Sequence, residues 1–255
     1  MVLAVDIGNT NVVVGCFRDD KIIFTERLST ARLSTALEYT VLIRTVLELN
    51  GMQGSDFTGC ILSSVVPPAT QTVREAVLRM IGKEPLVIGA GVKTGLKILI
   101  DNPAAVGSDR VADAVAAAND YPLPVIIADL GTATTFSVVD ENRSFLGGLI
   151  VPGVRVSLDS LTSRAAQLPA ISLEPAKKVI GTNTTDCMKS GIIYSTASAV
   201  DGITARIEEE LGRPCTVVAT GGNAGKIIPF CKRRIYLDDT LLLRGMMYIY
   251  RKNQK

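Results

Sequence analysis

The chain has 255 residues, 47% of them hydrophobic and 20% charged, and a formal net charge of +2. This composition excludes a disordered chain, and the small net charge argues against a nucleic-acid-binding protein. Histidine is absent, which excludes His-based catalytic triads and histidine metal ligands and leaves a carboxylate as the leading candidate for proton transfer.

Residues 2–15 begin with an apolar strand that ends at Asp6, followed by a Gly-centred turn and a second β-branched strand. This pattern predicts a β-hairpin whose turn contains Gly8, Asn9 and Thr10. Consecutive backbone N–H groups, with the Asn and Thr side chains, would bind phosphate oxygens, while the Asp6 carboxylate would hold a cation. The turn contains no Lys or Arg, so the positive charge for phosphoryl chemistry must come largely from metal ions.

Helices and strands then alternate along the chain. The apolar spacing and the Gly and Pro punctuation predict a helix over 33–51, a buried strand over 59–66, a helix over 69–81 and a short strand over 85–88. A turn over 101–103 leads into a loop at Gly107–Arg110, and an Ala-rich helix follows over 111–119.

The loop before the Ala-rich helix reads Gly107, Ser108, Asp109, Arg110. One interpretation is a charge that favours the helix dipole together with an exposed ion pair. The other is a substrate site, in which glycine leaves room for a ligand while a base and a cation lie side by side. Local sequence alone leaves both open.

Residues 125–139 repeat the first construction: an apolar strand ends at Asp129, and a turn with Gly131 and Thr132 follows. The preceding Pro-rich stretch, 121–124, predicts a domain boundary there, giving an N-terminal domain over 1–119 and a C-terminal domain over 120–255. If the two turns face each other, they would hold a polyphosphate and its metal.

The second half repeats the plan with longer insertions. We predict a strand over 145–153, helices over 154–166 and 184–211, a buried strand over 216–219 that ends in a Thr-Gly-Gly turn, and a packing helix over 241–250. The duplicated hairpin with this turn predicts an α/β fold of two similar domains of the actin/sugar-kinase/Hsp70 ATPase type, each a mixed sheet flanked by helices.

Six motifs together resemble the type III pantothenate kinases, in the same order and over essentially the whole chain. They start at Asp6, at Asp101 (a turn that leads into Gly107–Arg110), at Asp129, at Gly147 with Pro152, at Gly181, and at Thr220 in the turn Thr220-Gly221-Gly222-Asn223. The resemblance implies ATP-dependent phosphorylation of the pantothenate hydroxyl to 4′-phosphopantothenate, the first step of coenzyme A biosynthesis.

The resemblance also implies a role for individual residues. ATP would contact Asp6, Ile7, Gly8, Asn9, Thr10, Asn11, Val12, Val13 and Thr132, and Asp6 would help hold Mg²⁺. Pantothenate would contact Gly107, Ser108, Asp109, Arg110 and Thr184, with Asp109 as the catalytic proton acceptor and Arg110 at the substrate carboxylate. Asp129 would hold the monovalent cation, K⁺ or NH₄⁺, that the family requires, and the family is a homodimer.

One position departs from the family pattern. Many members have a tyrosine two residues before the Asn-Pro turn, where this chain has Ile100, so this chain lacks a hydroxyl group that could make a contact there.

Two other functions remain open from the residues. Another kinase, for a different small hydroxy or carboxy metabolite, is compatible because fold does not fix substrate. A nucleotide-binding regulatory protein without turnover is the second, although a pure sensor has no need of the base at Asp109.

The five cysteines are scattered with no CxxC pair, which favours buried free thiols over disulfides or structural zinc. No apolar run reaches the length of a membrane span, and the first residues lack a charged leader region. We therefore expect a cytoplasmic protein that binds neither membranes nor nucleic acid.

Overall fold

The computed structural model describes residues 1–175 and 178–254. Its contacts divide the chain into two compact units. Unit 1 comprises Met1–Gly95, Asp101–Ala116 and the C-terminal segment from Leu241, and unit 2 comprises Leu96–Ile100 and Ala117–Thr240. The domain boundary between residues 119 and 120 stays a prediction.

The elements are numbered in chain order. The strands are β1 Val2–Ile7, β2 Asn11–Arg18, β3 Lys21–Ser29, β4 Gly59–Ser64, β5 Leu86–Val87, β6 Lys97–Ile98, β7 Val125–Leu130, β8 Ala133–Val139, β9 Ser144–Pro152, β10 Thr216–Thr220 and β11 Tyr236–Leu237. The helices are α1 Ala36–Leu49, α2 Pro67–Ile81, α3 Ser108–Asp120, α4 Val154–Arg164, α5 Thr184–Leu211, α6 Ala224–Ile227 and α7 Leu241–Lys252.

Unit 1 is built on a five-stranded sheet in the order β3-β2-β1-β4-β5. Strand β1 pairs antiparallel with β2, which confirms the predicted hairpin, and parallel with β4. In that parallel register Asp6 lies opposite Ser63 and Ile7 opposite Ser64. The carboxyl ends of β1 and β4 therefore meet at one edge of the sheet.

Helices cover both faces of this sheet. Leu3, Val5 and Ile7 point into a core completed by α1 and α2. On the other face α7 packs so closely that a Cβ at Gly15 would lie 2.9 Å from Leu243. Gly15 is paired with Ala4, and Asp6, two residues further along β1, shares that face.

Unit 2 repeats the topology. Its sheet has the order β11-β10-β7-β8-β9-β6, so that β9-β8-β7-β10-β11 corresponds strand for strand to β3-β2-β1-β4-β5. Strands β7 and β8 form the second predicted hairpin, and β10 runs parallel to β7 with Thr220 opposite Asp129. The core on one face contains Ile126, Ala128 and Leu130 together with residues of α4, α5 and α6. Asp129 consequently points to the opposite face, as Asp6 does in unit 1.

The structure corrects several predicted boundaries. The helix predicted over 33–51 spans Ala36–Leu49. The loop predicted at Gly107–Arg110 is helical from Ser108, because the Gly107 carbonyl already accepts the Val111 N–H at 3.1 Å. The strand predicted over 59–66 ends at Ser64, and the helix predicted from residue 69 already begins at Pro67, so Pro67 and Pro68 occupy the first positions of α2. Their fixed φ angle suits a helix start, where no N–H is required.

The C-terminal segment is helical as predicted and packs within unit 1. A Cβ at Gly245 would clash with the Ala112 carbonyl, so the backbones of α7 and α3 approach closely. Within residues 1–175 and 178–254, no helix has the combination of length and apolar character that a membrane crossing requires.

Candidate active site

The first hairpin turn is tight and lies beside a carboxylate. The Gly8 N–H donates to the Asn11 carbonyl at 2.9 Å, which closes the turn at the end of β1. A Cβ at Gly8 would lie 3.1 Å from that carbonyl oxygen and 4.0 Å from Asp6 Oδ2. Asp6 itself is 7% exposed. Glycine therefore brings the turn backbone next to a buried carboxylate, as a phosphate and cation site requires.

The segment that follows β3 stabilises this turn through hydrogen bonds. The Thr30 hydroxyl donates to the Gly8 carbonyl at 2.7 Å, and the Thr30 N–H donates to the Thr10 carbonyl at 2.9 Å. The Arg32 guanidinium donates to the Asn9 side-chain oxygen at 3.0 Å. This contact places a cation beside the first hairpin turn. The sequence analysis missed Arg32 because it is remote from the turn in the sequence.

Ser108 attaches the predicted substrate segment to the sheet. Its hydroxyl accepts the Ser64 N–H at 2.8 Å, can donate to the Ser64 carbonyl at 3.0 Å, and lies 3.0 Å from the Ser63 hydroxyl. Ser108 is 7% exposed and Ser63 is fully buried. The first turn of α3 is thereby held against the carboxyl end of β4.

These contacts bring the predicted residues of unit 1 to one edge. Asp6 is paired with Ser63, Ser63 contacts Ser108, and Asp109 is the next residue of the chain. Paired residues of adjacent strands point to the same side of a sheet. Asp6 and the start of α3 therefore lie on the same face and at the same strand ends.

Asp109 has the environment of a base. Its Oδ1 accepts the Arg110 N–H at 2.7 Å, and Gly107 leaves the space this carboxylate fills, since a Cβ there would clash with Oδ1. Burial raises the pKa of Asp109, and the Arg110 N–H and positive charge act in the opposite direction. Burial also lowers the pKa of Arg110, which the Asp109 charge opposes. The pair combines a proton acceptor with a cation that can receive a carboxylate.

The second hairpin turn, in unit 2, also contains an aspartate in a glycine-lined position. The Gly131 N–H donates to the Ala133 carbonyl at 3.1 Å, and a Cβ at Gly131 would lie 3.6 Å from both Asp129 oxygens. A Cβ at Gly221 would clash with Asp129 Oδ1, and the Asn223 N–H donates to the Leu130 carbonyl at 3.2 Å. Carboxylate and carbonyl oxygens in such a setting are ligands that hard cations prefer.

The two turns differ by one residue. In the first hairpin Asp6 pairs with Val13, whereas in the second Asp129 pairs with Thr135. The first turn is closed between Gly8 and Asn11 and the second between Gly131 and Ala133. The duplicated motif therefore presents one more backbone residue in the first turn.

The other predicted site residues lie as follows. The Ile7 and Val12 side chains are fully buried in the core, so they can reach a nucleotide only through their backbone. Thr184, in unit 2, is exposed at the first position of α5, which Asn183 caps by accepting the Asp186 N–H. A groove of about 480 Å³ is lined by three residues that precede α5 and by six residues of α5: Val179, Ile180, Gly181, and Cys187, Ser190, Gly191, Tyr194, Ser195 and Ser198.

Ile100, the departure from the family pattern, lies in unit 2 beside β9. A Cβ at Gly147 would lie 3.5 Å from Ile100 Cγ2, so the apolar side chain packs near the glycine-rich part of that strand.

Solved structures of similar fold include sugar kinases. A putative 2-dehydro-3-deoxygalactonokinase from Sinorhizobium meliloti superposes with a TM-score of 0.58 at 12% identity, over 99% of this chain and 97% of that one. A glucokinase of the ROK family from Streptomyces griseus, in complex with glucose and AMPPNP, gives 0.55 at 15% identity, over 99% of each chain. The fold is therefore that of the actin-like sugar kinases, which confirms the predicted fold class.

Sequence relatives define the family within that fold. The chain is 42% identical over 255 residues to a type III pantothenate kinase of an Exiguobacterium species, covering 100% of both. It is 40% identical to that of Halalkalibacterium halodurans, covering 99% of this chain and all of the relative. The family model for type III pantothenate kinase matches residues 2–206. The chain belongs to the type III pantothenate kinase family, which confirms the resemblance seen in the motifs and the assignment as a phosphotransferase.

Proposed function

We propose that this chain transfers the terminal phosphoryl group of ATP to the hydroxyl of pantothenate, forming 4′-phosphopantothenate in the first step of coenzyme A biosynthesis. The observation that supports the proposal best is Asp109, a partly buried carboxylate held by Ser108 at the strand edge that also bears Asp6. Family membership indicates pantothenate as the substrate, and the position of Asp109 provides a base near the first hairpin turn, which we propose to bind phosphate.

Asp109 accepts the proton of the attacking hydroxyl in this proposal. Phosphoryl transfer depends mainly on positioning and charge stabilisation, so the protein needs a base that also orients the alcohol. The raised pKa makes Asp109 a stronger base than an ordinary carboxylate, and its hydrogen bond from the Arg110 N–H fixes its orientation.

Arg110 binds the carboxylate end of pantothenate. Its guanidinium is partly buried, where a charge-assisted pair is stronger than on an open surface, and its planar fork suits bidentate binding. We assign Thr184 to a second contact with the same substrate, through its exposed hydroxyl at the start of α5.

The hairpin turns bind the nucleotide phosphates through backbone N–H groups and the side chains of Asn9, Thr10 and Thr132. Mg²⁺ bound with ATP neutralises the phosphate charge, and the oxygen chemistry of Asp6 fits it. The glycine-lined Asp129 carboxylate fits a monovalent cation, K⁺ or NH₄⁺, in the same way. We also propose that the protein acts as a homodimer.

The decisive experiment measures ADP release with pantothenate for the wild type and for Asp109→Asn. We expect turnover to fall by at least about a hundredfold, the usual scale for a positioned base, while ATP and pantothenate binding persist. Asp159→Asn, at an exposed position of α4, removes a comparable carboxylate and serves as the control. Near-normal turnover in Asp109→Asn would remove that residue from its role.

A substrate screen separates pantothenate from other acceptors. Acetate, glycerol and N-acetylated sugars, tested beside pantothenate, represent the other metabolites that kinases of this fold accept. ADP release that depends on one of these compounds, and not on pantothenate, would overturn the proposed substrate.

A further inference from the structure

We infer that Arg32 is a further nucleotide-binding residue, whose guanidinium contacts a phosphate oxygen of the ATP bound at the first hairpin turn. This inference rests on the proposed kinase function. It concerns a residue that lies outside the turn in the sequence and reaches it through the segment that follows β3.

The contact geometry places the guanidinium at the turn. Arg32 donates to the side-chain oxygen of Asn9 at 3.0 Å, and Asn9 lies between the two residues whose carbonyls Thr30 engages. Two hydrogen bonds from Thr30, one from its hydroxyl to Gly8 and one from its N–H to Thr10, fix the path of the chain along the turn. Arg32 follows two residues later, so its backbone is anchored close to the turn.

The charges around the first hairpin turn also favour a cation there. Residues 7–13 contain no charged side chain, and Asp6 adds a negative charge beside a turn that must receive a polyphosphate. Asn9 and Arg32 are both exposed, so the guanidinium remains accessible to an incoming ligand. A guanidinium carries five N–H donors, and the bond to Asn9 uses only part of this capacity. Paired donors of an arginine fork match two phosphate oxygens.

Arg32 could instead act by holding Asn9 in place, and a double-mutant cycle distinguishes the two roles. If Arg32 acts only through Asn9, substituting Arg32 in an Asn9→Ala background has no further effect. If Arg32 contacts phosphate directly, the loss persists when Asn9 is absent.

The experiment measures binding of Mg-AMPPNP to the full chain by calorimetry. The variants are Arg32→Gln, Arg32→Lys, Asn9→Ala and the double variant Asn9→Ala/Arg32→Gln, with Arg44→Gln as a control at an exposed arginine of α1. We expect Arg32→Gln to weaken binding about tenfold in both backgrounds, because a charge-assisted hydrogen bond is lost. Arg32→Lys keeps part of the affinity, and Arg44→Gln keeps all of it.

Salt dependence is the second measurement. Affinity of the wild type for Mg-AMPPNP should fall more steeply with added NaCl than that of Arg32→Gln, since the variant has lost one ionic contact. A loss of less than twofold in Arg32→Gln, or no added loss in the Asn9→Ala background, would overturn the inference.

Failure of the proposed function and failure of the role inferred for Arg32 give different experimental results. A wild type that binds Mg-AMPPNP but releases no ADP with pantothenate would refute the proposed function, and the affinities would still decide the role of Arg32. A wild type that fails to bind Mg-AMPPNP would overturn both.

Discussion

Removing the Ser108 hydroxyl tests whether the start of α3 is positioned by β4. In Ser108→Ala the Ser64 N–H loses an acceptor at 2.8 Å, and the Ser64 carbonyl and the Ser63 hydroxyl each lose a neighbour at 3.0 Å. A buried donor left without its partner costs about 1–3 kcal/mol, and the half-buried Ser64 N–H falls within that range at about 2 kcal/mol. A loss of about 2 kcal/mol lowers the Tm of a chain of this size by about 4–8 °C.

The same substitution should reduce turnover through Asp109. Once its first turn is no longer tied to β4, α3 holds the carboxylate less rigidly, and a small misplacement of a catalytic group lowers the rate. We expect kcat to fall roughly tenfold, whereas the affinity for ATP changes little because the hairpin turn is untouched. Thermal unfolding and a steady-state assay of ADP release measure the two effects on one preparation.

Two further variants serve as controls for Ser108→Ala. Ser108→Thr keeps the hydroxyl and should recover most of the stability and rate. Ser163→Ala, on the exposed surface of α4, removes a hydroxyl that donates to the Ser160 carbonyl of its own helix and should change neither quantity. A Ser108→Ala protein with the wild-type Tm and kcat would show that β4 does not position α3 through this hydroxyl.

Two other perturbations have defined outcomes. Burial raises the pKa of Asp109 and the Arg110 charge opposes that rise, so the base form is lost as the pH falls through the raised pKa. Arg110→Gln should therefore move the acid limb of the kcat/KM profile to higher pH, and an unmoved limb would contradict this coupling. Gly221 has a φ of +92°, and a Cβ there would clash with Asp129 Oδ1 and the Leu130 backbone. Gly221→Ala should reduce the stimulation of the rate by K⁺ over tetramethylammonium, whereas equal wild-type rates in the two salts would refute the cation site.

The sequence predicted the hairpins well because their signals are local. Each consists of a β-branched strand, an aspartate and a Gly-centred turn, and each pairs in the expected antiparallel way. The 28-residue helix α5 was also found at its observed bounds, because Asn183 gives a local capping signal and Gly212 ends the helix in a left-handed conformation.

The start of α3 was misjudged although a signal was present. A glycine followed by Ser-Asp is typical of a loop, but an aspartate in a first helical turn is also favoured by the helix dipole. The Ser108 hydroxyl is also hydrogen-bonded to β4, and such a tertiary contact leaves no mark in the local sequence. Strand β3 was missed because its side chains are mostly exposed and mostly polar or charged.

Arg32 illustrates the same limit at the site. Its own neighbourhood in the sequence resembles an ordinary polar connection between a strand and a helix. The relation to Asn9 exists because β3 returns antiparallel along β2, which brings the end of β3 next to the turn where β2 begins. A residue that reaches a site from the end of a neighbouring strand can be identified only once the order of the strands in the sheet is known.

The C-terminal helix has a consequence for biosynthesis. Unit 1 includes the first residues of the chain, yet it also includes α7: Gly15 packs against Leu243, and a Cβ at Gly59 would clash with the Tyr250 hydroxyl. The chain leaves the ribosome from its N-terminus, so the sheet of unit 1 is synthesised before most of unit 2, whereas the helix α7 that packs on this sheet is synthesised after it. All of unit 2 lies before Leu241 and is synthesised by then. Synthesis of unit 1 therefore begins before that of unit 2, but unit 1 can complete its packing only after unit 2 has been synthesised.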